Sequence, residues 1–183
     1  MVKGDGFSSE SNIETDASSS VTVAIPEMGR FLIDNSSVVS RTKNSNEVKV
    51  EKGQIRKFEG DASDILTVLT PLATFTELYK GGAFRLHVDE NGMCKLTVES
   101  GWVIVNIKEF DSYVPKNFGC LITRGKYAIP YPSDSSPQLI NLLENFSGIN
   151  DPSVGTILSL MTTKESLSLW HIIQLISTEN RSI

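Results

Sequence analysis

From residue 21 to about residue 129, apolar and polar positions alternate with a period of two, the pattern of strands with one buried face. Val21-Thr22-Val23-Ala24-Ile25 alternates and stops at Pro26. Phe31 and Ile33 then fall on one face, with Arg30, Leu32 and Asp34 on the other. Asn44-Ser45-Asn46 makes a turn before Val48-Lys49-Val50, and Ile65-Leu66-Thr67-Val68-Leu69 reads as a buried strand. Asp89-Glu90-Asn91-Gly92 predicts a tight hairpin between Phe84–Val88 and Leu96–Val98, because Asn and Gly tolerate positive φ. Trp102–Ile107 and Cys120–Thr123 complete the series. After Pro130-Tyr131-Pro132 the period lengthens. Ser136-Pro137 is a helix start, with Ser as cap and Pro in the first turn, and Leu139, Ile140, Leu142, Leu143 and Phe146 follow at helical spacing up to Gly148. Asp151-Pro152 opens a second helix carrying Val154, Ile157, Leu158 and Met161. Thr162-Thr163-Lys164-Glu165 offers a capping box for a third. That third helix, with Leu167, Leu169, Trp170, Ile172, Ile173, Leu175 and Ile176, is apolar on more than half its circumference and must pack on the β unit or on a partner. Residues 1–20 are rich in serine, with Phe7 and Ile13 as their large apolar residues, and predict a flexible linker.

A phrase repeats within the β region. Val48-Lys49-Val50-Glu51-Lys52-Gly53-Gln54-Ile55 and Leu96-Thr97-Val98-Glu99-Ser100-Gly101-Trp102-Val103 are both apolar-x-Val-Glu-x-Gly-x-apolar, with Gly53 and Gly101 48 residues apart. Their flanks repeat too: Gly29-Arg30-Phe31-Leu32-Ile33 precedes one copy and Gly82-Ala83-Phe84-Arg85-Leu86 the other. A period near 50 residues predicts a duplicated all-β unit, with repeats at about 21–60 and 66–123. Gly101 should mark a bulge or a positive φ, and Trp102 should lie in the core. The domain plan is therefore a linker (1–20), a β domain (21–129) and a helical segment (130–183). The fold class is mainly β with a helical C-terminal segment of about three helices. The strands form either a roll or short right-handed solenoid, or a twisted sandwich. The tail would cover a sheet edge or end, with Trp170 as an anchor between helix and sheet.

The 183 residues carry a net charge of −5, which argues against a nucleic-acid module. One stretch departs from that balance: Arg41, Lys43, Lys49, Lys52, Arg56 and Lys57 face only Glu47 and Glu51. It is either a solvated strand face or a docking surface for an acidic partner. Cys94 and Cys120 do not have the spacing of a zinc site. They read as buried thiols, with a disulfide open to an oxidising compartment. The sequence holds no apolar run long enough to span a membrane and no signal-peptide pattern. Export or anchoring would therefore need a segment upstream.

Candidate chemistry is sparse. His87 sits in a strand and His171 beside Trp170. An enzyme would need one of them next to a carboxylate or serine in a pocket. There is no Gly-x-Ser-x-Gly elbow, no phosphate-cradling loop and no metal-ligand spacing. Neither a cofactor nor a metal is expected. Glu51 and Glu99 invite a paired-carboxylate reading, but equivalent positions of a repeat recur because the backbone does.

The β region resembles the FecR family, the extracytoplasmic regulators of alternative sigma factors. The resemblance is carried by the repeated Val-Glu-x-Gly-x-apolar phrase, by Thr70-Pro71-Leu72-Ala73 and by Phe84-Arg85-Leu86-His87-Val88. It is closest to a subgroup with Val98-Glu99-Ser100-Gly101-Trp102-Val103, then Val114-Pro115, Cys120 and a Pro-Tyr, and a helical tail bearing Leu167-Ser168-Leu169-Trp170-His171. It runs from about Val21 to Thr178. The resemblance implies a non-enzymatic sensor domain on the periplasmic face of the inner membrane, partnered by an envelope receptor or a sigma-regulatory component, in a process such as iron or nutrient uptake. The anti-sigma region and membrane span of that layout are not in this sequence, so a longer protein is implied. A second reading is an envelope-surface module binding a small molecule or polysaccharide, which predicts exposed aromatics and a concave groove.

Overall fold

The computed structural model describes Phe7 and residues 10–107, 110–148 and 150–179. The described residues form thirteen strands: β1 (Asn12–Glu14), β2 (Val21–Ile25), β3 (Gly29–Ile33), β4 (Val38–Arg41), β5 (Glu47–Lys57), β6 (Thr67–Leu69), β7 (Thr74–Glu77), β8 (Ala83–Val88), β9 (Cys94–Ser100), β10 (Trp102–Ile107), β11 (Phe110–Pro115), β12 (Phe118–Ile122) and β13 (Tyr131–Pro132). They pair into one sheet curled over on itself. One half runs β1-β4-β5-β6-β7-β10-β11 and the other β2-β3-β5-β8-β9-β12-β13. β5 belongs to both halves. Its residues before Gly53 pair with β4 and β6, and those from Gly53 onward pair with β3 and β8. Among the described strands only β5 and β6 pair in parallel. A solenoid stacks its strands in parallel, so the arrangement is the roll.

Alternating Val, Ile, Leu and Phe side chains from the inner faces of both halves fill the core, including Val50, Val68, Phe75, Leu86, Val98 and Val105. The Asp89–Gly92 turn forms as expected. The Asp89 carboxylate accepts the Asn91 and Met93 N–H groups at 2.8 Å each, and Gly92 holds φ 81. Residues 10–20 depart from the linker expectation. β1 pairs antiparallel with β4 and Ile13 packs on the core, because an edge strand needs only one inward side chain to hold its place.

Beyond β13, three helices follow: α1 (Pro137–Glu144), α2 (Val154–Leu160) and α3 (Ser166–Glu179). Ser136 caps α1 by accepting the Leu139 N–H at 3.2 Å. The capping box closes as predicted, with the Glu165 carboxylate accepting the Thr162 N–H at 2.9 Å, ahead of α3. Asp151 accepts the Ser153 hydroxyl at 2.5 Å and N–H groups from Ser153 and Ser147, both at 2.9 Å, and these bonds, the hydroxyl's foremost, hold its carboxyl down at about 2. The helices have their own apolar cluster, with Ile129, Leu139, Leu143, Phe146, Ile172 and Leu175. They join the roll through that cluster, which takes in Tyr131 of β13 and has Phe110 of β11 packed against it, and through polar ties: Ser168 Oγ donates to the Pro130 carbonyl at 2.6 Å and the Tyr131 hydroxyl to Glu144.

Candidate protein-interaction surface

The repeated phrase makes the same object twice. In β5, Val48 and Val50 point inward, whereas after Gly53 it is Ile55 and Lys57. In β9 Cys94, Leu96 and Val98 point inward, whereas after Gly101, in β10, it is Val103 and Val105. Inward parity therefore switches from even to odd at each glycine, as the chain passes from one half of the sheet to the other. Both glycines lie at positive φ, 97 at Gly53 and 77 at Gly101, a region that costs residues with a Cβ. Glu51 and Glu99 each precede the glycine by two residues, and each is the extra residue of a β-bulge. The β4–β5 register jumps from Val39↔Val50 to Val38↔Lys52, and the β8–β9 register from Phe84↔Val98 to Ala83↔Ser100. The two glutamates recur as parts of a corner. Glu51 pairs with Lys49 at 2.7 Å, and Glu99 bridges Arg56 at 3.0 Å and Arg85 at 2.6 Å.

The corner also explains where Trp102 goes. A strand continuing the even parity of β9 would bury it. The switch at Gly101 turns it outward instead, opposite Pro115 and 38% exposed. Trp170 on α3 is 45% exposed and meets Tyr113 of β11 edge-on at 6.5 Å. It touches the sheet as expected, but it leaves half its surface outside. Ile173, one position from Ile172 on α3, is exposed beside it along the helix.

The Arg41–Lys57 stretch is not one surface. Lys57 is buried at 0% exposure, where its Nζ donates to Glu77 at 2.7 Å and to the Gly82 carbonyl at 2.8 Å. Its side chain cannot meet a partner, because the parity switch at Gly53 aims it inward. Burial pushes the Glu77 carboxyl up, with Lys57 opposing that shift less strongly. Arg41 is mostly buried, within 3.6 Å of Glu27, and Lys43 lies 3.4 Å from Glu10. Lys49 and Lys52 are exposed on the half before Gly53, and Arg56 lies on the other half. There it joins a cationic set that the linear sequence did not group. Arg56 stands opposite Arg85 in register, and the Arg30 and Arg56 guanidiniums lie 4.8 and 5.1 Å from the centre of the Phe58 ring. Cation–π contact and the shared Glu99 offset the like-charge pairing.

His87 is exposed on the same face, in register with Gln54 and Lys95. His171 is buried. Its Nε2 accepts the Tyr113 N–H at 3.1 Å on the edge strand β11, and its Nδ1 lies 2.9 Å from the Leu167 carbonyl. This requires a neutral ring with the proton on Nδ1, and burial pushes the imidazole pKa down. Thus α3 covers a sheet edge through one histidine. Cys94 and Cys120 are free and buried on neighbouring strands; burial raises both thiols, Cys94 to about 11. Among the described residues no cluster of His, Cys, Asp or Glu could hold a metal ion, and no helix is long and apolar enough to cross a membrane.

No family model and no curated protein matches the chain. Two crystal structures share its fold, both described as a "putative anti-sigma factor" from Parabacteroides distasonis ATCC 8503. The first superposes with a TM-score of 0.57 at 17% identity, over 67% of this chain and 59% of its own length. The second does so with a TM-score of 0.56 at 16% identity, over 81% of this chain and 71% of its own. At these identities the likeness is one of fold, and this chain spans less than two thirds of the first structure.

Proposed function

We propose that this chain is the non-enzymatic sensor and protein-interaction domain of a sigma-factor regulator of the FecR type. The fold likeness to two anti-sigma factor structures carries this reading. The doubled Val-Glu-x-Gly corner and the tail with Leu169-Trp170-His171 support it. In this reading the domain lies on the outer face of the inner membrane, tied by a segment outside this sequence to the region that holds a sigma factor. It responds to an envelope receptor, with iron or nutrient uptake as the process. Signal reception is a matter of partner binding, and the roll provides surfaces for it. One is the Arg30–Arg56–Arg85 face. The other is the half-exposed aromatic group of Trp102, Tyr113 and Trp170. Deleting the gene in its own host and sequencing transcripts tests the reading. A coherent change in one sigma factor's regulon is expected, and an unchanged transcriptome would overturn it.

The exposed Trp102 and Trp170 favour a second reading, an envelope module that stacks a polysaccharide or small molecule on aromatic faces. Quenching of tryptophan fluorescence by cell-envelope glycans would support it, and an unresponsive spectrum would remove it.

A further inference from the structure

The outer face of the half that runs from β3 to β9 breaks a rule of strand pairing. Arg56 of β5 stands directly opposite Arg85 of β8, and like charges so placed repel. Two contacts hold them there. Glu99 of β9 accepts Arg56 Nε and Nη2 on one oxygen, at 3.2 and 3.0 Å, and Arg85 Nε on the other at 2.6 Å. Phe58, just past β5, has the guanidiniums of Arg30 and Arg56 at 4.8 and 5.1 Å from its ring centre, so one ring steadies both.

Three guanidiniums thus share a single carboxylate, and both of its oxygens are taken. Arg30 and Arg85 are exposed, and among the described residues no carboxylate pairs with Arg30. The carboxylates at the margins of the face are bonded elsewhere. Glu144 lies 3.4 Å from Lys95, Asp34 accepts the Gln54 side-chain amide at 3.3 Å, and Glu59 accepts the Ser100 hydroxyl at 3.1 Å. This local surplus of cation stands on a chain whose net charge is −5. Places where a local rule is broken are where function is expected, and these side chains are suited to recognition. A guanidinium stays charged, its planar fork matches a carboxylate, and contact with a ring holds it ready. Glu99 shows which anion the forks accept.

We infer that the Arg30–Arg56–Arg85 face is the docking site for an extended, acidic segment of a partner protein. Arg30 and Arg85 stand on the two strands that flank β5, so their backbones are roughly 10 Å apart across the sheet. Carboxylates at every second residue of an extended chain fall on one side of it, roughly 7 Å apart, so two or three of them span the row. One meets the guanidinium of Arg30 and another the Nη groups of Arg85. Glu99 stays between them and holds Arg56 and Arg85 in place. The inference deepens the sigma-regulatory reading and rests on it only for the partner's belonging to a signalling assembly.

A short fluorescent peptide of alternating glutamate and threonine, offered to the full chain at about 0.15 M salt, tests the site; there, exposed charges more than about 8 Å from the peptide are largely screened. The unmodified chain should bind it, and should not bind the same peptide with glutamine for glutamate. Arg30→Gln with Arg85→Gln should weaken binding at least about tenfold, because two charge-assisted pairs are lost. Lys49→Gln with Lys52→Gln removes as much charge from the other half of the sheet and should leave binding within about twofold. Equal losses in the two double variants, or no binding by the unmodified chain, would overturn the proposal. So would capture of heparin or of phosphatidylglycerol vesicles through these arginines by a chain that ignores the peptide, which would assign the face to a glycan or a membrane. Should Arg85→Gln unsettle the fold by freeing Glu99, amide chemical shifts of the unmodified protein decide. Peptide should move those of Arg30, Arg56, Phe58 and Arg85 most, and shifts spread evenly over the roll would sink the idea. No sigma factor or receptor enters this experiment, so its failure and that of the transcript experiment are separate results.

Discussion

At the first corner a Cβ on Gly53 would lie 2.1 Å from Ser37 Oγ and 2.3 Å from Ser37 Cα; at the second, the nearest atom to a Cβ on Gly101 is Gly82 Cα at 3.4 Å. The two corners share a bulged glutamate, a positive φ and a parity switch, yet one is clasped by a loop and the other is open. Two residues beyond each glycine they agree again, with Ile55 and Val103 both buried. Four residues beyond, they part: Lys57 and Val105 both point inward and both are fully buried. In the first copy the inward position is filled by a charge whose partner, Glu77, comes from β7, and Glu77 itself stands in register with Val103 of the second copy. The same backbone device thus tolerates a hydrocarbon or an ion pair at one position, provided the ion pair is complete. Glu77 Oε2 also accepts the Leu66 N–H at 3.2 Å.

This contrast can be broken from its strongest point. Lys57→Met alone should cost roughly 3–5 kcal/mol, because it leaves Glu77 buried without its cation. Adding Glu77→Leu should restore most of that stability and make the first copy resemble the second. Urea denaturation of the two variants checks it, and a single variant as stable as the double would contradict it. Gly53→Ala should cost roughly 3 kcal/mol or more, since unfavourable φ and overlap with the Ser37 backbone add. Gly101→Ala meets only the φ penalty, roughly 1–2 kcal/mol. Equal losses at the two glycines would mean that the clasp by Ser37 does not matter. Trp102→Ala should be comparably mild, roughly 1–2 kcal/mol, for a side chain that the corner turns partly to solvent. A much larger drop in melting temperature would place its ring in the core.

The smallest effect is expected with pH, and it separates the corners from the helical end. The pKa of His171 is below its unfolded value of 6.5. Its contribution is therefore complete above that pH and is lost as pH falls below it, as the unfolded chain takes up the proton first. Protonation removes the acceptor of the Tyr113 N–H. With the intrinsic pH dependence of exchange divided out, protection of the Tyr113 amide should fall below about pH 6.5, while protection of the amides flanking Gly53 and Gly101 holds. A His171→Gln chain should lose that pH dependence.

Much of this was legible in the sequence because it is local. The period-two runs, the Asp89–Gly92 hairpin, the Ser136 cap and the Thr162–Glu165 box each depend on residues a few positions apart. The repeat in the sequence is enough to mark both glycines. What the repeat could not give was the direction of each flank, because a bulge and a positive φ together change which residues face in. Trp102 and Lys57 were misplaced for that one reason. The burial of Lys57 also depends on Glu77, 20 residues away, and no local pattern links them. β1 was missed because Asn12-Ile13-Glu14 offers a single apolar side chain, and its strand character comes from the β4 edge. The Arg30–Arg56–Arg85 face is assembled from three strands and so forms no basic run along the chain, unlike the Arg41–Lys57 stretch.

The sigma-regulatory reading is tested most directly by recovering the native protein from its own cells. Membranes would be separated from soluble protein, the polypeptide containing this sequence isolated, its intact mass measured and its co-purifying proteins identified. The account predicts a membrane-bound polypeptide heavier than 20.1 kDa that brings a sigma factor with it. A soluble polypeptide of about that mass, free of any sigma factor, would contradict it.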